Sequence, residues 1–238
     1  MNSRYRPNRH NLRQLLDSDS LSMLRSIHKD SAGLEHAIWN QGKWQSYIPS
    51  HFIYAFFTFN TLYNIDWKSS IKNGSICLHT EPGDLKKMYR YLNFCNCDEF
   101  LVQYREFFVQ YIEEHWDIDE VLAKFERIYP DDSVTEDILN NFKSACKRCF
   151  KDGECNREIL DHIVTLIYKI RCNLFHGHKT LEELSNTYQQ ERLDIYSVMI
   201  IAINQMVFSY LQYLNNERMS QCDIELLIER LRWKPGQS

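Results

Sequence analysis

The stretch IVTLIYKIRCNLFHGHK, residues 163–179, decides the fold of this chain. Its first half is apolar at helical spacing, and Gly177 suits the left-handed position that follows the end of a helix. At 100° per residue the apolar side chains form one stripe, with Arg171 at one margin and Asn173 at the other. The stretch therefore predicts a core helix that ends in a polar cluster.

Composition extends the helical prediction to the whole chain. Among 238 residues, 44% are hydrophobic, which allows a sizeable core, and 7 Gly and 5 Pro are too few for the turns of a many-stranded sheet. We predict a single all-α domain over residues 1–238, with its core at about residues 34–216 and peripheral helices at both ends. The net charge of −4 excludes a global basic field that attracts nucleic acid, so any RNA contact must be local.

Four segments are predicted to form the core bundle: residues 50–64, 98–116, 157–176 and 190–214. The first is apolar almost all round, so we expect it deep in the core. Further helical pieces are predicted at residues 10–30, 34–47, 118–128 and 220–232, and a short one near 68–72. Predicted N-terminal caps of helices are Ser18, Ser50, Ser133 with Glu136, and Asn156.

Arg171 and His176 together fit the cleavage of an RNA backbone. Histidine can exchange protons with the 2′-hydroxyl and the leaving oxygen, and arginine can bind phosphate oxygens through two N–H groups. His176 lies about 140° round the helix from Arg171, so a two-fold axis near the helix end would build a more complete site than one chain. The alternative is structural: an arginine paired with an acid, and a histidine that caps the helix.

Other chemistry has weaker signals. Cys146, Cys149 and Cys155 have short spacings, but the first two share a helix face and a fourth zinc ligand is missing, so apolar packing is the favoured interpretation. Cys172 and His176 are one turn apart, yet nothing marks Cys172 as a nucleophile. P-loop, GxSxG and GxGxxG motifs are absent.

Location is predicted to be cytoplasmic, without a membrane partner. The N-terminus lacks an apolar signal, and the longest apolar run, Val198–Ile203, is shorter than the roughly 20 residues that span a bilayer. Eight cysteines in such a chain indicate reduced thiols.

Two motifs resemble those of a known family. Arg171-Cys-Asn-Leu-Phe-His176-Gly resembles the R-x4-6-H signature of the HEPN superfamily (higher eukaryotes and prokaryotes nucleotide-binding domains), and Phe59-Asn60-Thr-Leu-Tyr63 resembles an F-N-x-L-Y stretch on an earlier helix of such proteins. The resemblance implies an all-α bundle that forms a two-fold homodimer, with the R-x4-H motifs facing each other. It also implies a metal-independent endoribonuclease of a toxin or antiviral defence system.

The resemblance assigns roles by position. Arg171 and His176 become the catalytic pair, and Asn173, Asn60 and His178 the supporting polar groups. Lys169 and Lys179 flank the motif and are predicted to contact RNA. No metal or other cofactor is expected; the expected partners are RNA, a second copy, and an antitoxin or defence-system protein. The alternative is a non-catalytic HEPN-like module that binds RNA, nucleotides or proteins.

The chain departs from the family pattern at two positions. Cys172 stands where a polar residue often follows the arginine, which favours the non-catalytic alternative. His178 stands where a tyrosine occurs in members that a partner nucleotidyltransferase modifies. Control by that modification is therefore not expected here.

Overall fold

The structure is a computed structural model that describes residues 9–28, 48–94, 98–115, 117–126, 136–175, 183 and 186–215. These residues are predominantly helical and contain no strand, only an isolated antiparallel bridge between Ile65 and Leu78. The predicted all-α class is confirmed. In chain order the helices are α1 (Arg9–Leu16), α2 (19–28), α3 (Ile48–Asn64), α4 (Trp67–Asn73), α5 (Asp84–Phe94), α6 (Asp98–His115), α7 (Ile118–Glu126), α8 (Glu136–Phe150), α9 (Arg157–Phe175) and α10 (Thr187–Asn215).

Side-chain caps explain where several helices begin. The Ser18 hydroxyl accepts a bond from the backbone N–H of Leu21 at 3.4 Å, and the Asn156 amide oxygen accepts one from Ile159 at 3.0 Å. Both caps were predicted. The predicted cap at Ser50 is wrong, because α3 already begins at Ile48 and Pro49 occupies its first turn.

Helix α4 ends where α1 packs against it. Gly74 adopts a left-handed φ of 70°, and a Cβ there would lie 3.2 Å from the Asn11 Cα atom. Both the backbone angle and the close approach of α1 therefore require glycine. This contact places α1 against the side of the bundle.

The core has a different set of neighbours from the predicted four-helix bundle. Helix α10 packs most extensively against α3 and α6, whereas α9 packs mainly against α8 and α5. The rings of Phe108 and Phe150 stack with centroids 3.8 Å apart and join α6 to α8. Helices α5 and α8 are thus the main neighbours of α9, which also meets α3 through the contact between Phe175 and Phe56.

Helix α3 is not buried on all sides. One face lies in the core, with Phe52, Ala55, Phe59 and Leu62 fully buried. The opposite face exposes Ile53, Tyr54 and Phe57 to solvent, at 45%, 55% and 54% of their surface. The expectation of a fully buried helix is wrong, and a half-exposed apolar surface runs along α3.

A buried pair of ionisable side chains lies where α3 meets α10. The Nδ1 atom of His51 is 3.4 Å from Oδ1 of Asp194, and both side chains are almost completely buried. The contact is electrostatic, since its geometry is not that of a hydrogen bond. Burial of both groups makes each dependent on the other.

Helix α10 is also relevant to whether the protein crosses a membrane. By length and composition its segment Thr187–Gln212 could cross a membrane, although most of it is buried inside the protein. The length of the apolar run Val198–Ile203 underestimates the length of the uncharged part of this helix, because no Asp, Glu, Lys or Arg occurs between Asp194 and Asn215. The buried surroundings of α10 match those of the core helix of a soluble protein.

Several predicted elements lie outside the described residues. They are the helical pieces at 34–47 and 220–232 and the cap at Ser133.

Candidate functional site

Near the end of α9, the Arg171 side chain contacts two aromatic rings. Its half-buried side chain places the guanidinium carbon 5.8 Å from the centroid of Phe56 and 5.4 Å from that of Phe175. The two ring centroids are 6.2 Å apart. These distances are those of cation–π contacts, so the cation is positioned by aromatic side chains of α3 and α9.

The polar contacts of Arg171 are few. Its Nη1 atom lies 3.9 Å from the Cys172 sulfur, a weak hydrogen bond. Its Nε atom is buried, and no described residue accepts a hydrogen bond from it. An unpaired buried donor costs about 1–3 kcal/mol. Within the described part of the chain no carboxylate pairs with Arg171, which excludes the predicted structural pairing with an acid there.

Asn60 lies on α3, one turn after Phe56. Its side-chain oxygen accepts a hydrogen bond from the Tyr63 hydroxyl at 2.5 Å, and its backbone oxygen accepts one from the Asn64 amide at 2.7 Å. Asn60 is half-buried, and the Tyr63 bond leaves its Nδ2 group as a donor. The F-N-x-L-Y stretch is thus ordered by an internal hydrogen bond.

Electrostatic interactions connect this stretch to Arg171. Burial raises the pKa of the Tyr63 hydroxyl, the nearby Asp84 carboxylate raises it further, and the Arg171 cation acts in the opposite direction. The pKa of Tyr168 is raised by burial and by a hydrogen bond with Cys172, and it is subject to the same two charges. Both hydroxyls therefore stay protonated at neutral pH and act as hydrogen-bond donors rather than bases.

The structure brings some of the predicted residues together and separates others. Arg171 and Asn60 share one neighbourhood, formed by α3, α5 and α9. Asn173 is buried, and Lys169 is half-buried; each lies about 160° round α9 from Arg171. Neither belongs to the group around the guanidinium.

His176, His178 and Lys179 lie outside the described residues. Of the predicted catalytic pair, the structure therefore describes only Arg171. The role of His176 stays a prediction.

Four neighbours of Arg171 were missed from the sequence: Phe56, Phe175, Tyr168 and Asp84. Phe175 follows Arg171 by four positions, and this helical spacing could have identified it. Phe56 precedes Asn60 by four positions in the same way. Asp84 carries no local signal, because only the packing of α5 brings it near α9.

The cysteines do not form a metal site in the described part of the chain, where no group of three His, Cys, Asp or Glu side chains has suitable geometry. Cys146 and Cys149 are buried in the core, as the packing interpretation predicts. A hydrogen bond with Cys155, together with burial, raises the pKa of the Cys149 thiol. The thiol is therefore protonated and unreactive.

No protein-family model matches the chain, and comparisons with curated proteins and with solved structures also gave no significant match. The resemblance to the HEPN superfamily therefore rests on the two quoted motifs. Residues of both motifs, Asn60 and Tyr63 on α3 and Arg171 on α9, contribute to one neighbourhood.

Proposed function

We propose that the chain is a metal-independent endoribonuclease of HEPN type that cuts RNA with Arg171 and His176. The observation that carries the proposal is the Arg171 guanidinium, which no described carboxylate neutralises and whose buried Nε lacks an acceptor there. A phosphate oxygen is a suitable acceptor for such a donor, and its charge complements the cation. In the Asn60–Tyr63 pair beside it, the Tyr63 hydroxyl donates to the Asn60 oxygen, and the Asn60 Nδ2 group remains as a neutral hydrogen-bond donor.

The proposed reaction is attack by the RNA's own 2′-hydroxyl. One histidine removes the 2′-proton while the 2′-oxygen forms a bond to phosphorus, and a second histidine protonates the 5′-oxygen as its bond to phosphorus breaks. The products are a 2′,3′-cyclic phosphate and a free 5′-hydroxyl. Arg171 stabilises the negative charge that develops on the phosphate oxygens during the displacement.

Two histidines and two arginines are available if the site is assembled from two chains. We therefore propose a homodimer in which His176 of one chain acts with the same residue of the other. A cytoplasmic toxin or antiviral effector, restrained by an antitoxin or another defence-system protein, fits such an activity. Reduced cysteines, of which Cys146 and Cys149 are buried free thiols, agree with that location.

The test is cleavage of single-stranded RNA by the purified protein in EDTA. We expect His176→Ala and Arg171→Ala each to lower the rate at least about 100-fold, since each removes a group that acts in the transition state. Matched controls are His162→Ala, a half-buried histidine earlier on α9, and Arg90→Ala, a surface arginine paired with Glu81 at 2.9 Å. Both controls should cut at the wild-type rate, and helical circular dichroism should be unchanged in all four variants.

A substrate with a 2′-deoxy group at the cut position tests the mechanism separately. It should bind and resist cleavage, because the nucleophile is missing. Cutting of this substrate, or full activity of His176→Ala, would contradict the proposal.

The non-catalytic alternative is favoured by one observation, the contact of Arg171 Nη1 with the Cys172 sulfur. In that case the surface around Arg171 binds RNA or a partner without cutting. RNA binding by the wild-type protein without detectable cleavage, lost in Arg171→Ala, would support the module and contradict the nuclease.

A further inference from the structure

The Arg171 guanidinium is flanked by rings where a half-buried arginine would ordinarily meet an acid. A carboxylate partner would occupy the N–H groups at the guanidinium edge, whereas an aromatic ring attracts the cation through its face. We propose that Phe56 and Phe175 position the Arg171 guanidinium for a phosphate without occupying its N–H groups as a carboxylate would, with Phe175 as the adjustable member of the pair. The inference deepens the proposed function and rests on it for its kinetic test.

The two rings differ in how firmly they are held. Phe56 is 2% exposed, and its centroid lies 6.0 Å from that of Phe52 and 5.7 Å from that of Phe59 on the same helix. Neighbours on α3 therefore fix its orientation. Phe175 is 50% exposed, at the end of α9. Phe56 is thus the fixed ring of the pair, and Phe175 is the ring that is half exposed to solvent.

Helical spacing explains why Phe175 is suited to this role. Side chains four positions apart lie one above the other on a helix, so the ring of Phe175 reaches the Arg171 side chain whenever the last turn of α9 is formed. Phe175 also directly precedes His176 in the sequence. The contact of the Phe175 ring with Arg171 depends on this last turn being formed.

The exposure of Phe175 makes the inference testable without disturbing the core. Phe175→Leu keeps an apolar side chain and removes the ring face, whereas Phe175→Trp supplies the ring that attracts cations most strongly. We expect Phe175→Leu to lower kcat about three- to tenfold with KM nearly unchanged, and Phe175→Trp to restore kcat. Phe107→Leu, a partly buried phenylalanine on α6, is the matched control and should keep the wild-type kcat.

A second measurement does not depend on catalysis. In protein with 15N-labelled arginine, the ring current of Phe175 should displace the Arg171 Nε–Hε resonance. Phe175→Leu should return that resonance towards the position of ordinary arginines and broaden it, because the side chain loses one of its two flanking rings. Phe175→Trp should displace it again.

The outcomes separate the inference from the proposed function. Unchanged kcat and an unchanged Arg171 resonance in Phe175→Leu would overturn the inference, even if the wild-type protein cuts RNA. If the wild-type protein cuts no RNA but its Arg171 resonance responds to both substitutions, the nuclease proposal fails and the positioning role stands. A loss in kcat that Phe175→Trp does not restore would indicate a purely structural effect and contradict the inference.

Discussion

Two ionisable side chains in this protein are kept from water in different ways. The Arg171 guanidinium contacts two aromatic rings at the margin of the core, and no described acid pairs with it. His51 lies fully inside the protein, 3.4 Å from the Asp194 carboxylate. The first arrangement leaves a cation able to bind an anion, whereas the second buries two groups that interact electrostatically.

The buried pair leads to a prediction about stability. Replacing His51 with Leu leaves the Asp194 carboxylate buried without its partner, and the free energy of unfolding should fall by about 3–5 kcal/mol. Urea denaturation followed by circular dichroism measures the change.

The matched variant removes both members of that pair. His51→Leu with Asp194→Leu replaces the two polar groups by apolar ones, so most of the lost stability should return. Additive losses in the double variant would show that the two side chains do not depend on each other.

At the scale of the helix, α4 is a short element whose start depends on one carboxylate. Asp66 accepts hydrogen bonds from the Ser69 backbone N–H at 3.1 Å and from the Ser69 hydroxyl at 2.8 Å. Asp66→Ala should lower the free energy of unfolding by about 0.5–2 kcal/mol, the usual cost of losing such a cap. Asp66→Asn keeps an acceptor and should be close to wild type at neutral pH, as measured by urea denaturation.

The same cap should depend on pH. Burial disfavours the charged form of Asp66, but the hydrogen bonds from Ser69 outweigh it, and the pKa of the carboxyl lies below its ordinary value. A lowered folded-state pKa gives stability that is complete above the unfolded value of about 3.9 and is lost as the pH falls through the folded value. The advantage of wild type over Asp66→Ala should therefore shrink between neutral pH and about pH 3. An advantage that stays constant over this range would contradict the role of the charge.

Local signals in the sequence predicted individual helices better than their surroundings. The caps at Ser18 and Asn156 depend on residues within one turn, so they could be identified without a structure. The exposed face of α3 could not, because apolar residues all round a helix give no periodic signal for which side meets the core. The partners of α9 were also hidden, since packing against α8 and α5 depends on contacts far apart in the sequence.

The candidate site was predictable to the same extent. Arg171 and Asn60 were identifiable as polar residues on apolar helices, and each lies within one of the two motifs that resemble those of the HEPN superfamily. Their surroundings come from three helices, and Asp84 enters only through the fold, whereas Tyr168 lies three positions before Arg171 on α9. Asn173, also inside the motif, is buried and lies on the other margin of α9, and its supporting role stays a prediction.

For the whole molecule, the proposed dimer leads to a prediction about the exposed face of α3. Ile53, Tyr54 and Phe57 form an apolar surface on the helix that also carries Phe56 and Asn60, which makes it the proposed contact between two copies. Tyr54→Glu combined with Phe57→Glu should convert the dimer to a monomer and abolish cleavage, because like charges would meet across a two-fold axis. Light scattering after size-exclusion chromatography measures the mass.

The control for this variant is Val102→Glu, which adds the same charge at a half-exposed apolar position on α6. It should leave the mass and the cleavage rate unchanged. A monomeric wild-type protein that cuts RNA, or a double variant that remains dimeric, would exclude this face as the contact.

The exposed face of α3 has a consequence for dosage. If a working site needs two chains joined there, the fraction of competent enzyme depends on how much protein the cell contains. Far below the dissociation constant, doubling the amount of chain quadruples the number of dimers, so leaky synthesis is nearly harmless and a burst of synthesis is not. The apolar surface would then set a threshold, and its affinity would decide the level at which RNA begins to be cut.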